Sequence, residues 1–332
     1  MSHRLRSCAA LLLGAVATAG CSGPLLRVTG LEQAVTLAAA PLTPDSGTLA
    51  IHCGALIDGV AAQPVRDATI IIRDGRIVSV QRVVQRSWNM PLLELADYTC
   101  LPGLIDMHTH LADRPEDTVD LSVFFRRTAK ETQFLAAQNA EITLLAGFTT
   151  TRNTGTYLAW SDRTLRDAIN SGSIVGPRLQ VCGYYLTIWH GGGDLFVPDY
   201  REPDDAARFH AGVARGPDQF RQKAQAAIDG GADFLKVIAS GAVLAFGGVP
   251  GQAEMTPDEI AAVVQVAHAA GRKVAAHAHG AQSIREAMLA GVDTVEHASL
   301  IDDADIALAH DHHVALSMDV YNGDYTDTEG RR

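Results

Sequence analysis

The sequence carries little positive charge. It contains 27 lysine and arginine residues against 38 aspartate and glutamate residues, which gives a formal net charge of −11 at pH 7. No stretch is rich enough in lysine or arginine to follow a phosphate backbone, so we do not expect a nucleic-acid partner. A small neutral or zwitterionic molecule is a better match for this charge as a substrate.

The sequence also lacks an apolar run long enough for a permanent membrane span at its N-terminus. His3, Arg4 and Arg6 form a positive start, and an apolar run from Cys8 to Ala19 ends in small residues. This run is too short to cross a bilayer and is typical of an export signal. We therefore expect residues 1–20 to be a signal peptide and the protein to act in the periplasm or cell envelope.

The end of the signal is compatible with two kinds of processing. Residues 18–21, Thr-Ala-Gly-Cys, resemble the lipobox of bacterial lipoproteins, in which leucine usually stands where Thr18 stands. One alternative is a lipid anchor on Cys21, which is the one membrane contact that we expect, and the other is a plainly cleaved secretory signal. Residues 21–47 contain several prolines and are predicted to form a linker.

Closely spaced cysteine pairs are absent as well. Cys21, Cys53, Cys100 and Cys182 are widely and irregularly spaced, which excludes a zinc ribbon or a redox pair. Cys53 and Cys100 flank predicted strands, so they could form a disulfide in an oxidising compartment. Two buried free thiols are the alternative.

The first folded region is predicted to be a small antiparallel sheet. β-Branched runs at 48–53, 68–73 and 76–80 predict strands. Asp74-Gly75 lies between the last two runs and predicts a two-residue hairpin turn.

After residue 101, short apolar segments alternate with amphipathic ones, which predicts a parallel α/β fold. We predict seven strands, at 103–107, 149–153, 179–184, 234–238, 274–277, 294–297 and 314–319. Helices are predicted between them, at 125–145, 161–170, 218–229, 257–270, 281–290 and 302–311. An open doubly wound sheet is one solution. Histidines at the C-terminal ends of several non-adjacent strands favour instead a TIM-type (β/α)8 barrel that lacks its eighth strand.

Histidines follow three of these strands. His108 and His110 follow the first, His277 and His279 the fifth, and His297 the sixth. Residues two apart in an extended segment point to one face, so each pair is suited to chelate a metal ion. A pair of core histidines is the alternative for either motif alone. Three strands that end in this way indicate a metal site.

Lys236 interrupts the fourth strand, which is otherwise suited to burial on both faces. Lysine is almost never fully buried without a partner. A buried lysine amine is nucleophilic and can react with carbon dioxide to give a carbamate, whose oxygens can bridge two cations. The alternative is a lysine that reaches water at the strand end.

Together these motifs resemble the amidohydrolase superfamily, specifically its branch of Xaa-Pro dipeptidases and imidazolonepropionase-like hydrolases. The resemblance extends from about residue 57 to residue 321. It implies two divalent metal ions, most often zinc, with carbon dioxide held as a carbamate on Lys236. The implied metal ligands are His108, His110, Lys236, His277 and His297. It implies His279 as a contact to the substrate's carbonyl oxygen and His190 as a contact to its carboxylate, although the loop at 189–194 departs from the family's Gly-Gly-His-Gly.

The function implied by the resemblance is hydrolysis of an amide bond next to a free carboxylate, by a hydroxide that bridges the two metals. The substrate would be a dipeptide, an Xaa-Pro dipeptide or an N-acyl amino acid. Hydrolysis of a cyclic amide or a lactone is one alternative, and an inactive metal-binding fragment is another. Self-association into a homo-oligomer is compatible with each of these.

The resemblance also implies a domain order. Residues 48–101 would form part of a small β-sandwich, and residues 102–332 an incomplete barrel. The family places a catalytic aspartate after an eighth strand, which we do not find, and Asp319 after the seventh strand would lie one strand away from that position. We therefore expect a C-terminally truncated chain that is inactive and poorly stable, with no catalytic residue assigned.

Overall fold

The computed structural model describes residues 47–82, 90–243, 245–246 and 248–318. One compact unit comprises the described residues up to Ile105 together with Glu141–Thr150 and Val175–Pro177. The second comprises Asp106–Ala140, Thr151–Ile174 and the described residues from Arg178 onward. The predicted signal peptide, Cys21 and Asp319 lie outside the described residues.

The first unit contains a four-stranded sheet in the order β3-β2-β1-β4. Strand β1 is Thr48–Leu56, β2 is Val65–Arg73, β3 is Arg76–Gln81 and β4 is Leu92–Cys100. β2 pairs antiparallel with both β1 and β3, but β4 pairs parallel with β1. The prediction of a purely antiparallel sheet was wrong because β4 was not recognised. Most of its residues are exposed or half-buried, so it lacks the apolar alternation that reveals a strand.

The predicted hairpin connects β2 to β3. Asp74 and Gly75 have φ values of +51° and +75°, as a type I′ turn requires. Cys53 and Cys100 form a disulfide that joins β1 to β4 across a Cα–Cα distance of 6.0 Å, so the disulfide alternative is the one found. The described residues up to Cys100 form one sheet, and the β-sandwich stays a prediction.

The rest of the chain alternates strands with helices. The strands are β5 (Leu104–Thr109), β6 (Phe148–Asn153), β7 (Arg178–Val181), β8 (Tyr185–Leu186), β9 (Phe234–Ile238), β10 (Lys273–Ala278), β11 (Thr294–His297) and β12 (Ala315–Ser317). The helices are α1 (Val123–Arg126), α2 (Ala129–Leu145), α3 (Ser161–Asn170), α4 (Gly216–Asp229), α5 (Pro257–Ala269), α6 (Ala281–Leu289) and α7 (Asp303–Asp311). Short 3₁₀ turns occur at Pro115–Val119 and Ala206–Arg208.

These strands form two sheets that follow chain order, β5-β6-β7 and β8-β9-β10-β11-β12. The second sheet is parallel throughout. The third predicted strand, 179–184, extends too far: β7 ends at Val181, where the Asp162 carboxylate accepts hydrogen bonds from the backbone N–H groups of Cys182 and Gly183. Strand β8 follows it and was not predicted. The parallel α/β fold is confirmed. A closed barrel is not observed among the described residues, so it stays a prediction.

Strand β9 of the five-stranded parallel sheet is buried on both of its faces. All five residues of β9 are buried, and Leu235 and Val237 pack with apolar residues of α4 and α5. Helix α5 begins with a capping box, in which Thr256 and Glu259 satisfy each other's backbone N–H groups. These helices hold the strands so that their C-terminal ends lie at the same edge.

Among the described residues, β5 lies at one end of the first of these sheets and β12 at one end of the second. Leu104, Ile105 and Met107 of β5 are 47%, 62% and 43% exposed. Separately, none of the helices in the described part of the chain is both long and apolar enough to cross a membrane.

Gly54 supplies a stability test of the first unit. A Cβ atom at Gly54 would lie 1.9 Å from the carbonyl oxygen of Ala96, where the pairing of β1 with β4 shifts register. We predict that Gly54→Ala lowers the free energy of unfolding by about 1–3 kcal/mol. Guanidinium unfolding measures this, with Gly75→Asn as the control because asparagine suits that turn. Equal midpoints for the two variants would contradict the prediction.

Candidate active site

Five histidine side chains meet at the C-terminal ends of β5, β10 and β11. The ring centroid of His297 lies 4.6 Å from that of His108 and 4.5 Å from that of His277. The ring of His279 is 4.6 Å from His277, and the ring of His110 is 5.1 Å from His108. We call these five side chains the histidine cluster. The ligand nitrogens of His277, His279 and His297 all lie within 4.8 Å of one another, close enough to share an ion.

Lys236 lies in the middle of β9, where it is 1% exposed. It is opposite Ala275 of β10 on one side and Tyr185 of β8 on the other. Its charge lies close enough to the histidine cluster to lower the pKa values of both His108 and His277. The structure therefore places Lys236 beside the predicted ligands and away from the strand ends that face water.

Burial keeps the imidazoles neutral. The pKa of His108 falls to about 3, mainly through burial; Lys236, His110 and His297 also lower it, and the hydrogen bond to Glu296 opposes them. Burial likewise holds the pKa of His277 well below its usual value, with contributions from His297 and Lys236. At pH 7 both rings are unprotonated bases. Each can offer a lone pair to a cation.

The orientation of His108 and His110 is set by acceptors behind them. Nδ1 of His108 lies 2.9 Å from a carboxylate oxygen of Glu296, and Nδ1 of His110 lies 3.0 Å from the carbonyl oxygen of Gly155. Because both partners accept, both Nδ1 atoms carry the proton and both Nε2 atoms carry a lone pair. The two Nε2 atoms are 3.2 Å apart. Two lone pairs at this distance repel each other, and a cation between them would turn the repulsion into attraction.

Glu296 and Arg152 were missed by sequence reasoning. Glu296 is fully buried, and its Oε1 accepts hydrogen bonds of 2.6 Å from both Arg152 Nη2 and Thr294 Oγ1. Arg152 also donates to the carbonyl oxygen of Met107 at 2.7 Å. Although burial opposes its ionisation, the hydrogen bond to His108 and the charges of Lys236 and Arg152 keep the pKa of Glu296 low. The signal in the sequence was a charged residue inside each of two predicted strands.

His279 has its own support. Its Nδ1 lies 2.8 Å from Ser299 Oγ, and its backbone N–H donates to Ser240 Oγ at 3.0 Å. Tyr185, which no sequence pattern indicated, places its hydroxyl 3.2 Å from Nδ1 of His110. These contacts surround the cluster with groups that fix ring orientation.

His190 is exposed on the loop after β8, with a φ of +54°. Its ring stacks on Phe196 at 4.0 Å and on Trp189 at 5.0 Å. Its backbone N–H donates to Asp194 at 2.9 Å. These contacts lie within its own loop, so the contact between His190 and a substrate carboxylate stays a prediction.

A parallel α/β unit with histidines gathered at its strand ends is the arrangement that defines a class of hydrolases, and the chain belongs to the amidohydrolase family, whose model matches residues 99–329. Ochratoxinase of Aspergillus niger is 28% identical over 282 residues, which cover 79% of this chain. The match spans 56% of that relative's length.

Solved structures show the same fold. A Xaa-Pro dipeptidase with methionine bound in its active site is 30% identical, with a TM-score of 0.75 over 86% of this chain and 70% of that one. A prolidase in complex with N-methylphosphonate-L-proline is 26% identical, with a TM-score of 0.78 over 86% of this chain and 69% of that one. Recognition of the family from the sequence is therefore confirmed.

We predict that Glu296→Gln weakens zinc binding about 10- to 100-fold, since the neutral amide orients His108 less strongly and leaves Arg152 without its carboxylate. Calorimetric titration of metal-free protein with zinc measures the change. Glu286→Gln on helix α6, outside the cluster, is the matched control. An unchanged dissociation constant in Glu296→Gln would show that the carboxylate does not support the metal site.

Proposed function

We propose that this chain provides the metal centre of a hydrolase that cleaves an amide bond next to a free carboxylate, in a dipeptide, an Xaa-Pro dipeptide or an N-acyl amino acid. The observation that carries the proposal is the meeting of His108, His110, His277 and His297 with buried Lys236 at one edge of the sheets. The Xaa-Pro dipeptidase, the prolidase and the ochratoxinase support it as relatives.

The donor set fits two divalent cations. His108 and His110 would hold one ion and His277 and His297 the other, and Lys236 as a carbamate would supply an oxygen to each. Imidazole and carboxylate-like donors suit zinc, which we assign, and they are also compatible with manganese and cobalt. Bound cations would polarise the amide carbonyl and activate a water molecule as the nucleophile.

The protein groups around the metals have separate roles. Glu296 and Gly155 keep the Nδ1 protons of His108 and His110 in place, so both Nε2 atoms would be available to hold an ion. In the proposed arrangement the Ser299 hydroxyl, 2.8 Å from Nδ1 of His279, donates to that nitrogen, and Nε2 of His279 carries the proton. That N–H is then available to donate to the carbonyl oxygen of the substrate as negative charge develops there.

We also propose that the mature protein begins after the signal peptide and acts in the cell envelope. The disulfide between Cys53 and Cys100 supports this, because such bonds persist in oxidising compartments. Acylation of Cys21 is the form of this proposal that would keep the protein at a membrane surface.

A substrate panel tests the reaction. We predict that the metal-loaded full-length protein hydrolyses alanyl-proline and N-acetylmethionine, and that their C-terminal amides react at least about tenfold more slowly because a charged contact is lost. Cyclic amides and γ-butyrolactone complete the panel. Comparable turnover of the lactone or of the amidated compounds would favour the alternative hydrolase.

Metal content tests the site. We predict that the full-length protein carries close to two divalent ions per chain after growth with added zinc and bicarbonate, and that His110→Ala loses metal because one imidazole is removed. Elemental analysis gives the ratio, and His310→Ala on helix α7 is the control. Fewer than one ion per wild-type chain would rule out a binuclear centre.

Lys236 has a separate test. We predict that Lys236→Ala loses metal and hydrolysis together, and that formate or acetate partly restores the metal content because an added carboxylate can replace the carbamate. The measurement is metal per chain with and without the acid. Wild-type metal content and activity in Lys236→Ala would contradict the carbamate assignment.

A further inference from the structure

Two loops that follow the C-terminal ends of β8 and β9 leave large aromatic side chains in water. Trp189 in the first loop is 60% exposed, and Phe246 in the second is 58% exposed. Single exposed apolar residues are common on proteins, whereas contiguous patches mark binding sites. Whether Trp189 and Phe246 mark a binding site therefore depends on whether other side chains connect them into one patch.

The rings form one continuous set, which we call the aromatic ladder: Trp189, His190, Phe196 and Phe246. Trp189 is nearly parallel to His190 at 5.0 Å and 26°, and His190 is nearly parallel to Phe196 at 4.0 Å and 25°. Phe196 meets Phe246 at 6.2 Å and 70°. His190 thus stacks with both Trp189 and Phe196. Trp189 and Phe246 keep aromatic surface free for another ring.

The loop that carries Phe246 adjoins the histidine cluster. The carbonyl oxygen of Gly241, at its start, lies 3.4 Å from Nε2 of His277. Gly251, near its end, lies so close to Gly280 that a Cβ atom on Gly280 would be 2.1 Å from the Gly251 carbonyl oxygen. One loop thus touches the strand end that carries His277 and His279, and also holds the outer ring of the ladder.

We propose that the aromatic ladder binds a planar aromatic group of the substrate, so that the preferred substrates are amides that carry such a group beside the cleaved bond. This inference rests on the proposed function, because the histidine cluster fixes where the cleaved bond lies. The ring can belong to the acyl group or to the amino-acid side chain. Stacking recognises both in the same way, and the experiment separates them.

The test is calorimetric binding of compounds that cannot be hydrolysed to metal-loaded protein. N-benzylglycine against N-(cyclohexylmethyl)glycine represents an aromatic acyl group, and phenylalanine against cyclohexylalanine represents an aromatic side chain. We expect the planar member of at least one pair to bind about 2- to 10-fold more tightly. Trp189→Leu or Phe246→Leu should remove that preference. Phe134→Leu on helix α2, where the ring is 66% exposed, should keep it.

Equal affinity within both pairs, or no measurable binding of any of the four compounds, would overturn the proposal. Tryptophan fluorescence that changes with protein concentration alone would assign the ladder to a contact between two copies of the chain, and would also overturn it. A planar preference in a protein that hydrolyses none of the substrate panel would support the ladder and contradict the proposed function. Hydrolysis without a planar preference would support the proposed function and contradict the ladder.

Discussion

Glu296 is fully buried and accepts hydrogen bonds from His108, Arg152 and Thr294. His108 is in β5, Arg152 is in β6 and Glu296 is in β11, so this one carboxylate joins strands of two different sheets. Loss of one partner from a buried charged pair costs about 3–5 kcal/mol, because the other charge is left in a medium that solvates it poorly. The positions of the histidine-bearing strands relative to one another depend on this network.

The same network keeps the histidines neutral and oriented so that they can bind cations. Glu296 and the carbonyl oxygen of Gly155 take the Nδ1 protons of His108 and His110, and burial prevents protonation of His108 and His277. Lone pairs are thereby concentrated where the parallel strands end, near the buried Lys236 in the middle of β9. The aromatic ladder lies on loops that follow β8 and β9. The same strands therefore position both the histidine cluster and the residues proposed to select the substrate.

The sequence predicted those features that depend on local pattern. Helix α3 and strands β9 and β11 begin and end at the predicted residues. The amphipathic pattern of α3 and the short apolar run of β9 are local signals of this kind. The end of β7 at Val181 was not predictable, because it depends on the carboxylate of Asp162 from a separate helix. β4 was missed for lack of apolar alternation. In the candidate site, spacing revealed the histidines, whereas the partners of Glu296 come from residues 144 and 188 positions away.

A crystal structure of the zinc-loaded protein, with anomalous data at the zinc edge, tests the central claim most directly. The account predicts two anomalous peaks about 3.5–4 Å apart, one against Nε2 of His108 and His110 and the other against His277 and His297. It also predicts electron density for a carboxylate group that extends from Nζ of Lys236 to both peaks. A single peak, or two peaks with an unmodified Lys236 amine, would contradict it.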